Sequence, residues 1–208
     1  MKIFKYFLAI FIIGLLILLC YFFYLLSPTS FSDELISFVV PMDANQEDII
    51  LRLQGQGFIR SPQIFSLFSS YFKYPGKIES GSYQISHRMS IVRIANILML
   101  HPYQLWITLV PGLRKEQVAE RLSKKFYWEE AKLKDFLSVA KEGYLYPDTY
   151  LLNLDYTGTE FANRLMNNFN EHLDGLMQKD LLSLDIRIDT AVKIASLIER
   201  ESGSDEDK

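Results

Sequence analysis

Two short stretches hold the residues that could do chemistry. One is IASLIERESG, residues 194–203, which turns from apolar to doubly acidic at Glu199 and Glu201. The other is GYLYPDTYLL, residues 143–152, which sets Tyr144, Tyr146 and Tyr150 around Asp148. A carboxyl group can give a proton to a leaving oxygen and take one back, so each glutamate is a candidate general acid/base. At about 100° per residue, Ala191, Val192, Ile194, Ala195, Leu197 and Ile198 share a wide apolar face, with Lys193, Ser196 and Arg200 opposite. Glu199 and Glu201 then stand about 160° apart, one on each flank of that face, and cannot work as a close pair. Half-burial would raise a carboxyl pKa by disfavouring the charged form, which an acid acting near neutral pH requires. Two flanking glutamates are equally the solvated edges of an amphipathic helix. Tyrosines beside an acid suit a sugar, because their ring faces stack on pyranose C–H edges. Pro147-Asp148 is also ordinary turn chemistry. Residue types and period leave these readings open.

Composition removes other classes. A formal charge of -3 leaves no electrostatic footprint for nucleic acid. Cys20 is the only cysteine, so neither an internal disulfide nor a cysteine metal site can form. His87, His101 and His172 are far apart and lack close ligand neighbours, so no metal is expected. No glycine-rich phosphate loop with an attendant lysine is present, and no cofactor is expected.

These stretches need elements to position them. Residues 7–26, FLAIFIIGLLILLCYFFYLL, carry no charge and no proline and are long enough to span a bilayer as a helix. Lys2 and Lys5 precede them, and no basic residue follows until Arg52. Residues 1–6 are therefore expected in the cytosol and the remainder outside it, on a single-pass anchor in the plasma (inner) membrane. A cleaved signal peptide fits less well. The apolar run is long, no small-x-small site follows it, and Cys20 sits among large residues unsuited to lipid attachment.

Beyond the anchor, Leu35–Pro41 reads as a strand. Asn45 caps a helix bearing Ile49, Ile50 and Leu53, with Gly55 and Gly57 at its end. Ser61-Pro62 opens a helix with Ile64, Phe65, Phe68 and Phe72. Gly81–Ser86 alternates as a strand, and Ser90 caps a helix through Leu98. Residues 36–100 thus form a small α+β unit. A strand at Gln104–Val110 leads through Pro111-Gly112-Leu113-Arg114 into a helix ending near Lys125. Trp128–Ala140 is a further helix, and GYLYPDTYLL has no helical period. Thr157 and Glu160 make a capping box for a long helix bearing Phe161, Leu165, Phe169 and Leu176. Asp189 is expected to cap the last helix.

Three blocks then resemble one family, the bacterial endolytic murein transglycosylases called YceG-like. Glu142-Gly143-Tyr144-Leu145-Tyr146-Pro147-Asp148-Thr149-Tyr150 matches that family's Glu-Gly-aromatic segment ending in Pro-Asp-Thr-aromatic. Ala195-Ser196-Leu197-Ile198-Glu199-Arg200-Glu201-Ser202 matches its doubly acidic block. Gln56-Gly57-Phe58-Ile59 and Ser80-Gly81-Ser82-Tyr83 are similar to its LysM-like subdomain, from Phe38 to Leu100. At Val110-Pro111-Gly112-Leu113 the chain departs from the family, with Pro111 where a glutamate usually stands.

The resemblance implies an α+β chain made of the transmembrane helix, a LysM-like βααβ subdomain and, over residues 101–208, an incomplete catalytic domain. It implies a lyase that cleaves the MurNAc–GlcNAc bond within nascent glycan strands and leaves 1,6-anhydro ends, with Glu201 as the catalytic acid/base and Glu199 as its support. Tyr144, Tyr146, Asp148 and Tyr150 would line the glycan cleft. The partners implied are peptidoglycan glycan strands and peptidoglycan synthases of the division or elongation machinery. Further family motifs do not occur before Lys208, so the chain is expected to be C-terminally truncated and weak or inactive. The alternative is a non-catalytic, membrane-anchored peptidoglycan-binding or division-associated module. Aminodeoxychorismate lyase, a name this family has also carried, requires pyridoxal phosphate, for which no site is evident.

Overall fold

The computed structural model describes residues 2–71, 78–173 and 175–202. Phe72 and the tail from residue 203 fall outside them, as do the side chains of Leu176 and Glu201. The chain is α+β and divides into two compact units, Met1–Gln104 and Leu105–Lys208.

The first unit begins with α1, Lys2–Leu26. Its segment Tyr6–Leu26 has a mean hydropathy of 2.8 and is long and apolar enough to cross a membrane. Then follow β1 (Ile36–Val40), α2 (Gln46–Gly55), α3 (Pro62–Tyr71), β2 (Gly81–Ile85) and α4 (Ile91–Leu100). β1 pairs antiparallel with β2 in the register Phe38 to Tyr83, which turns both rings inward. The caps fall where side-chain chemistry puts them: Asn45 Oδ1 accepts from Asp48 N at 2.8 Å, and Ser90 Oγ accepts from Arg93 N at 3.4 Å. Ile49, Leu53, Phe58, Phe65, Ile85, Ile94 and Leu98 close the core between the two strands and the helices.

The link from α1 to this unit is stitched down. Leu26 packs on the core. The amides of Thr29 and Ser30 both donate to His87 O at 3.1 Å, and Arg88 N donates to Ser32 O at 3.2 Å. Arg60 lies over the Tyr24 ring, 4.4 Å from its centroid, and donates to Tyr24 Oη (3.0 Å) and Pro28 O (2.8 Å). His87, stacked on Phe58 at 4.4 Å, is thereby part of the packing.

The second unit contains β3 (Gln104–Thr108), α5 (Lys115–Phe126), α6 (Glu130–Val139), β4 (Thr149–Asn153), α7 (Gly158–His172), α8 (Gly175–Ser183) and α9 (Ile188–Ser202). β3 is hydrogen-bonded to β4. The core is aromatic. Phe161, on α7, lies edge-on to Phe126 and Trp128, with ring centroids 4.9 Å away in each case. Lys132 roofs this cluster and donates to Leu154 O at 3.0 Å. The first turn of α7 presses on α6 so closely that only glycine fits: a Cβ on Gly158 would meet Lys132 O at 2.3 Å and Phe136 N at 2.4 Å. Asp135 accepts there from both the amide and the hydroxyl of Thr159 at 2.8 Å, which holds its carboxyl below the usual range.

Two expectations for this unit need correcting, and one strand is added to them. β4 forms within a stretch read only as non-helical, because Tyr150 and Leu152 alternate inward against the core. The long helix after Thr157 ends at His172, and Leu176 belongs to the separate α8. Asp189 is not a cap: it lies inside the first turn of α9, where it accepts a hydrogen bond from Tyr144.

Candidate functional site

The loop from Glu142 to Asp148 meets α9, α5 and α7 of the second unit. Gly143 makes the first contact. It has a φ of 80°, and a Cβ there would lie 2.5 Å from Val192 Cγ1. Only glycine lets the loop approach α9 this closely in this backbone state. Tyr144 then donates its hydroxyl to Asp189 at the start of α9. That contact raises the Tyr144 pKa and lowers that of Asp189, since it favours a neutral phenol beside an ionised carboxylate. A cleft of about 580 Å³ opens beside Tyr144, lined mainly by Leu173, Leu181, Ile186, Arg187 and Asp189.

Glu142 turns the other way. Its Oε2 accepts from Lys115 N, the first amide of α5, at 3.0 Å. A carboxylate there meets the positive end of the helix dipole and satisfies an otherwise orphan donor. The Pro111-Gly112 turn, just before α5, reaches the far end of α9. A Cβ on Gly112 (φ 76°) would lie 3.7 Å from Glu199 Oε1, an ordinary contact distance. Although Pro111 replaces the family's glutamate, Gly112 still brings this turn beside Glu199.

The rest of the loop belongs to α7. Asp148 accepts from Thr149 N at 2.7 Å and from Asn168 Nδ2 at 3.0 Å, and these bonds, Asn168's first, hold its carboxyl below the usual range. Tyr146 stacks on His172 with ring centroids 4.0 Å apart. Tyr150 is buried at 4% exposure and donates its hydroxyl to Tyr146 O at 2.6 Å. Its phenol pKa is raised chiefly by burial.

The structure therefore brings Tyr146, Asp148 and Tyr150 together on α7 and ties Tyr144 to α9. Tyr144 and Glu199 stand at opposite ends of α9, since ten residues from Asp189 to Glu199 span about 15 Å of helix. Glu199 is exposed, as are Ile194, Leu197 and Ile198 on the wide apolar face of α9. The backbone of Glu201 lies in the last turn of α9. Sequence reasoning gave no role to Glu142 or Asn168. Glu142 opens the Glu-Gly motif, and that position was its one signal. Asn168 carried none.

The family model described as YceG-like matches residues 38–208. Over 216 residues the chain is 23% identical to the endolytic murein transglycosylase of Streptococcus pneumoniae (strain ATCC BAA-255 / R6), covering 85% of this chain and 39% of that protein. The chain thus spans well under half the length of that relative. A crystal structure of a YceG-like protein from Listeria monocytogenes is similar at 19% identity and a TM-score of 0.39, covering 74% of this chain and 60% of that one. With the family model matching most of its length, including both the tyrosine-rich loop and α9, this chain belongs to the YceG-like family.

Proposed function

We propose that the chain is a membrane-anchored lytic transglycosylase of peptidoglycan. The observation that carries this reading is the family match across both the loop 142–150 and the acidic end of α9, in a unit where Gly143 and Tyr144 bind that loop to that helix. Glu201 is the acid/base. As an acid it gives its proton to the glycosidic oxygen; the MurNAc C1–O bond breaks and GlcNAc leaves as the alcohol. The C6 hydroxyl of the same MurNAc attacks C1 and passes its proton to the Glu201 carboxylate. The 1,6-anhydro ring closes, no water is consumed, and the enzyme is restored. One carboxyl suffices, unlike the paired scheme of ordinary glycosidases. This suits glutamates on opposite flanks of a helix. Glu199 supports Glu201. Tyr144, Tyr146 and Asp148 contact the glycan, and Tyr150 holds the loop from inside. The first unit is read as LysM-like from its β1-α2-α3-β2 order, and α1 as an uncleaved anchor with residues after Ser30 outside the cytosol. Peptidoglycan synthases are its proposed neighbours.

Digestion of purified glycan strands tests the activity. Scarce anhydro-ended products that disappear in Glu201→Gln are expected. Strands that are bound but left intact would instead establish the non-catalytic wall-binding module. That second reading is favoured by a well-packed first unit and, in the second unit, an α9 whose Leu197 and Ile198 are 64% and 63% exposed. Protease added to spheroplasts should remove the chain beyond Ser30, and full protection would overturn the topology.

A further inference from the structure

The geometry points to Asn168 as the positioning residue that aims Asp148 into the glycan site, an assignment that rests on the transglycosylase reading above. Asn168 sits on the inner side of α7 at 6% exposure, in a core otherwise almost wholly apolar. A buried amide costs stability unless its hydrogens find acceptors. Here the Nδ2 nitrogen lies 3.0 Å from Asp148 Oδ2 and 2.9 Å from Tyr150 Oη. The Tyr150 hydroxyl has one hydrogen, and it goes to Tyr146 O at 2.6 Å. The phenol oxygen must therefore accept from Asn168, whose two N–H bonds then point in fixed directions, one at the phenol and one at the carboxylate. One side chain thus holds Asp148 and Tyr150 directly and reaches Tyr146 through the Tyr150 hydroxyl. His172, one turn further along α7, reinforces this: its Nδ1 bonds Asn168 O at 2.9 Å while its ring stacks on Tyr146. Asp148 is left exposed, with the lone pairs not taken by Asn168 and Thr149 turned to solvent. A carboxylate so oriented suits the hydroxyls or amide N–H of an amino sugar.

A structural staple alone would need only a residue that fits. The substitution Asn168→Asp separates the two roles. It sets two carboxylates at hydrogen-bond distance, which repel when both are ionised and share a proton when one is not. Asp148 is also faced by Tyr150 from its own strand and by Arg164 and His172 from α7, and Tyr146 in turn faces Tyr150 and His172. Each comparison is therefore made with the parent at the same pH. The measurement is binding of purified glycan strands to the full chain in nanodiscs, in a Glu201→Gln background that prevents turnover. Asn168→Asp should bind about tenfold more weakly than its parent near neutral pH, the effect of losing one charge-assisted hydrogen bond. It should recover to within about twofold near pH 5, where the carboxyl pair holds a proton. Asn168→Ala, which cannot share a proton, should stay weak at both. Parental affinity for Asn168→Asp at neutral pH, or a loss that acid does not restore, overturns the assignment. Failure of the parent itself to bind glycan overturns the transglycosylase reading instead.

Discussion

Gly143 is the residue on which α9 depends. Its φ of 80° and the 2.5 Å approach of Val192 Cγ1 to a virtual Cβ place two separate demands on one position. Gly143→Ala should cost about 1–3 kcal/mol of α9 docking through backbone strain and the clash together. Hydrogen exchange should quicken across α9 while the Phe126–Trp128–Phe161 cluster stays protected; unchanged exchange in α9 would contradict this account. Tyr144 and Asp189 give the same junction a pH window. The Asp189 pKa is lowered in the folded state, so its contribution is present above the ordinary aspartate value and is lost as pH falls through the folded one. The Tyr144 pKa is raised, so its contribution is full below the ordinary tyrosine value and is lost as pH rises through the folded one. Asp189 is exposed and Tyr144 only partly buried, so the effect on global stability is small. The carbon resonance of the Tyr144 phenol should titrate above free tyrosine, and Asp189→Asn should return it towards the ordinary value. A midpoint unmoved by Asp189→Asn would rule out this coupling. Neither feature could be read beforehand, because a glycine and an aspartate in sequence do not reveal which surface they will meet.

Among the elements, α7 carries the second unit, and most of it was legible. Thr157 and Glu160 form the reciprocal box that their spacing predicts: Glu160 N donates to Thr157 Oγ1 at 3.1 Å and Thr157 N to Glu160 Oε2 at 2.7 Å. Thr157→Ala should lower the unfolding free energy by about 1 kcal/mol. Phe161→Ala, which empties the centre of the aromatic cluster, should lower it by about 3–5 kcal/mol. Denaturant titration of the two variants checks the order; a larger effect for the cap would mean that the cluster packs loosely. The end of α7 was less legible. Its apolar period runs on towards Leu176, but the helix ends at His172, and the φ and ψ of Leu173, -77° and 77°, are not helical. Apolar spacing reports a face, and the same face can be shared by two helices in succession. β4 was obscured for a related reason. Pro147, Asp148 and the tyrosines carry strong turn and ligand signals, and these mask the inward alternation of Tyr150 and Leu152. The contact of Asp148 with Asn168 joins residues 20 apart in sequence, beyond any local pattern.

On the scale of the whole molecule, the stitched segment between α1 and β1 departs most from what a sequence suggests. Ser27-Pro28-Thr29-Ser30 reads as a polar tether, yet its backbone is bonded to His87 and Arg60. Arg60→Ala removes the clamp on Tyr24 and Pro28 but leaves the core residues of the first unit in place. In nanodiscs, spin labels on α1 and on α4 should give one narrow distance distribution in the parent and a broad one in Arg60→Ala. A parent already broad would show that the stitching does not hold. As a free coil, the nine residues from Ser27 to Leu35, between the end of α1 and the start of β1, would reach about 16 Å in root-mean-square terms. The first unit would then sweep a hemisphere about the end of α1, and its effective concentration for any polymer would be spread through that volume. Stitched down, it sweeps almost none. With α1 in a bilayer, whatever this unit binds is met at one height and one azimuth, at high local concentration there and almost none elsewhere, so any polymer it takes is sampled by that polymer's own movement past a fixed post.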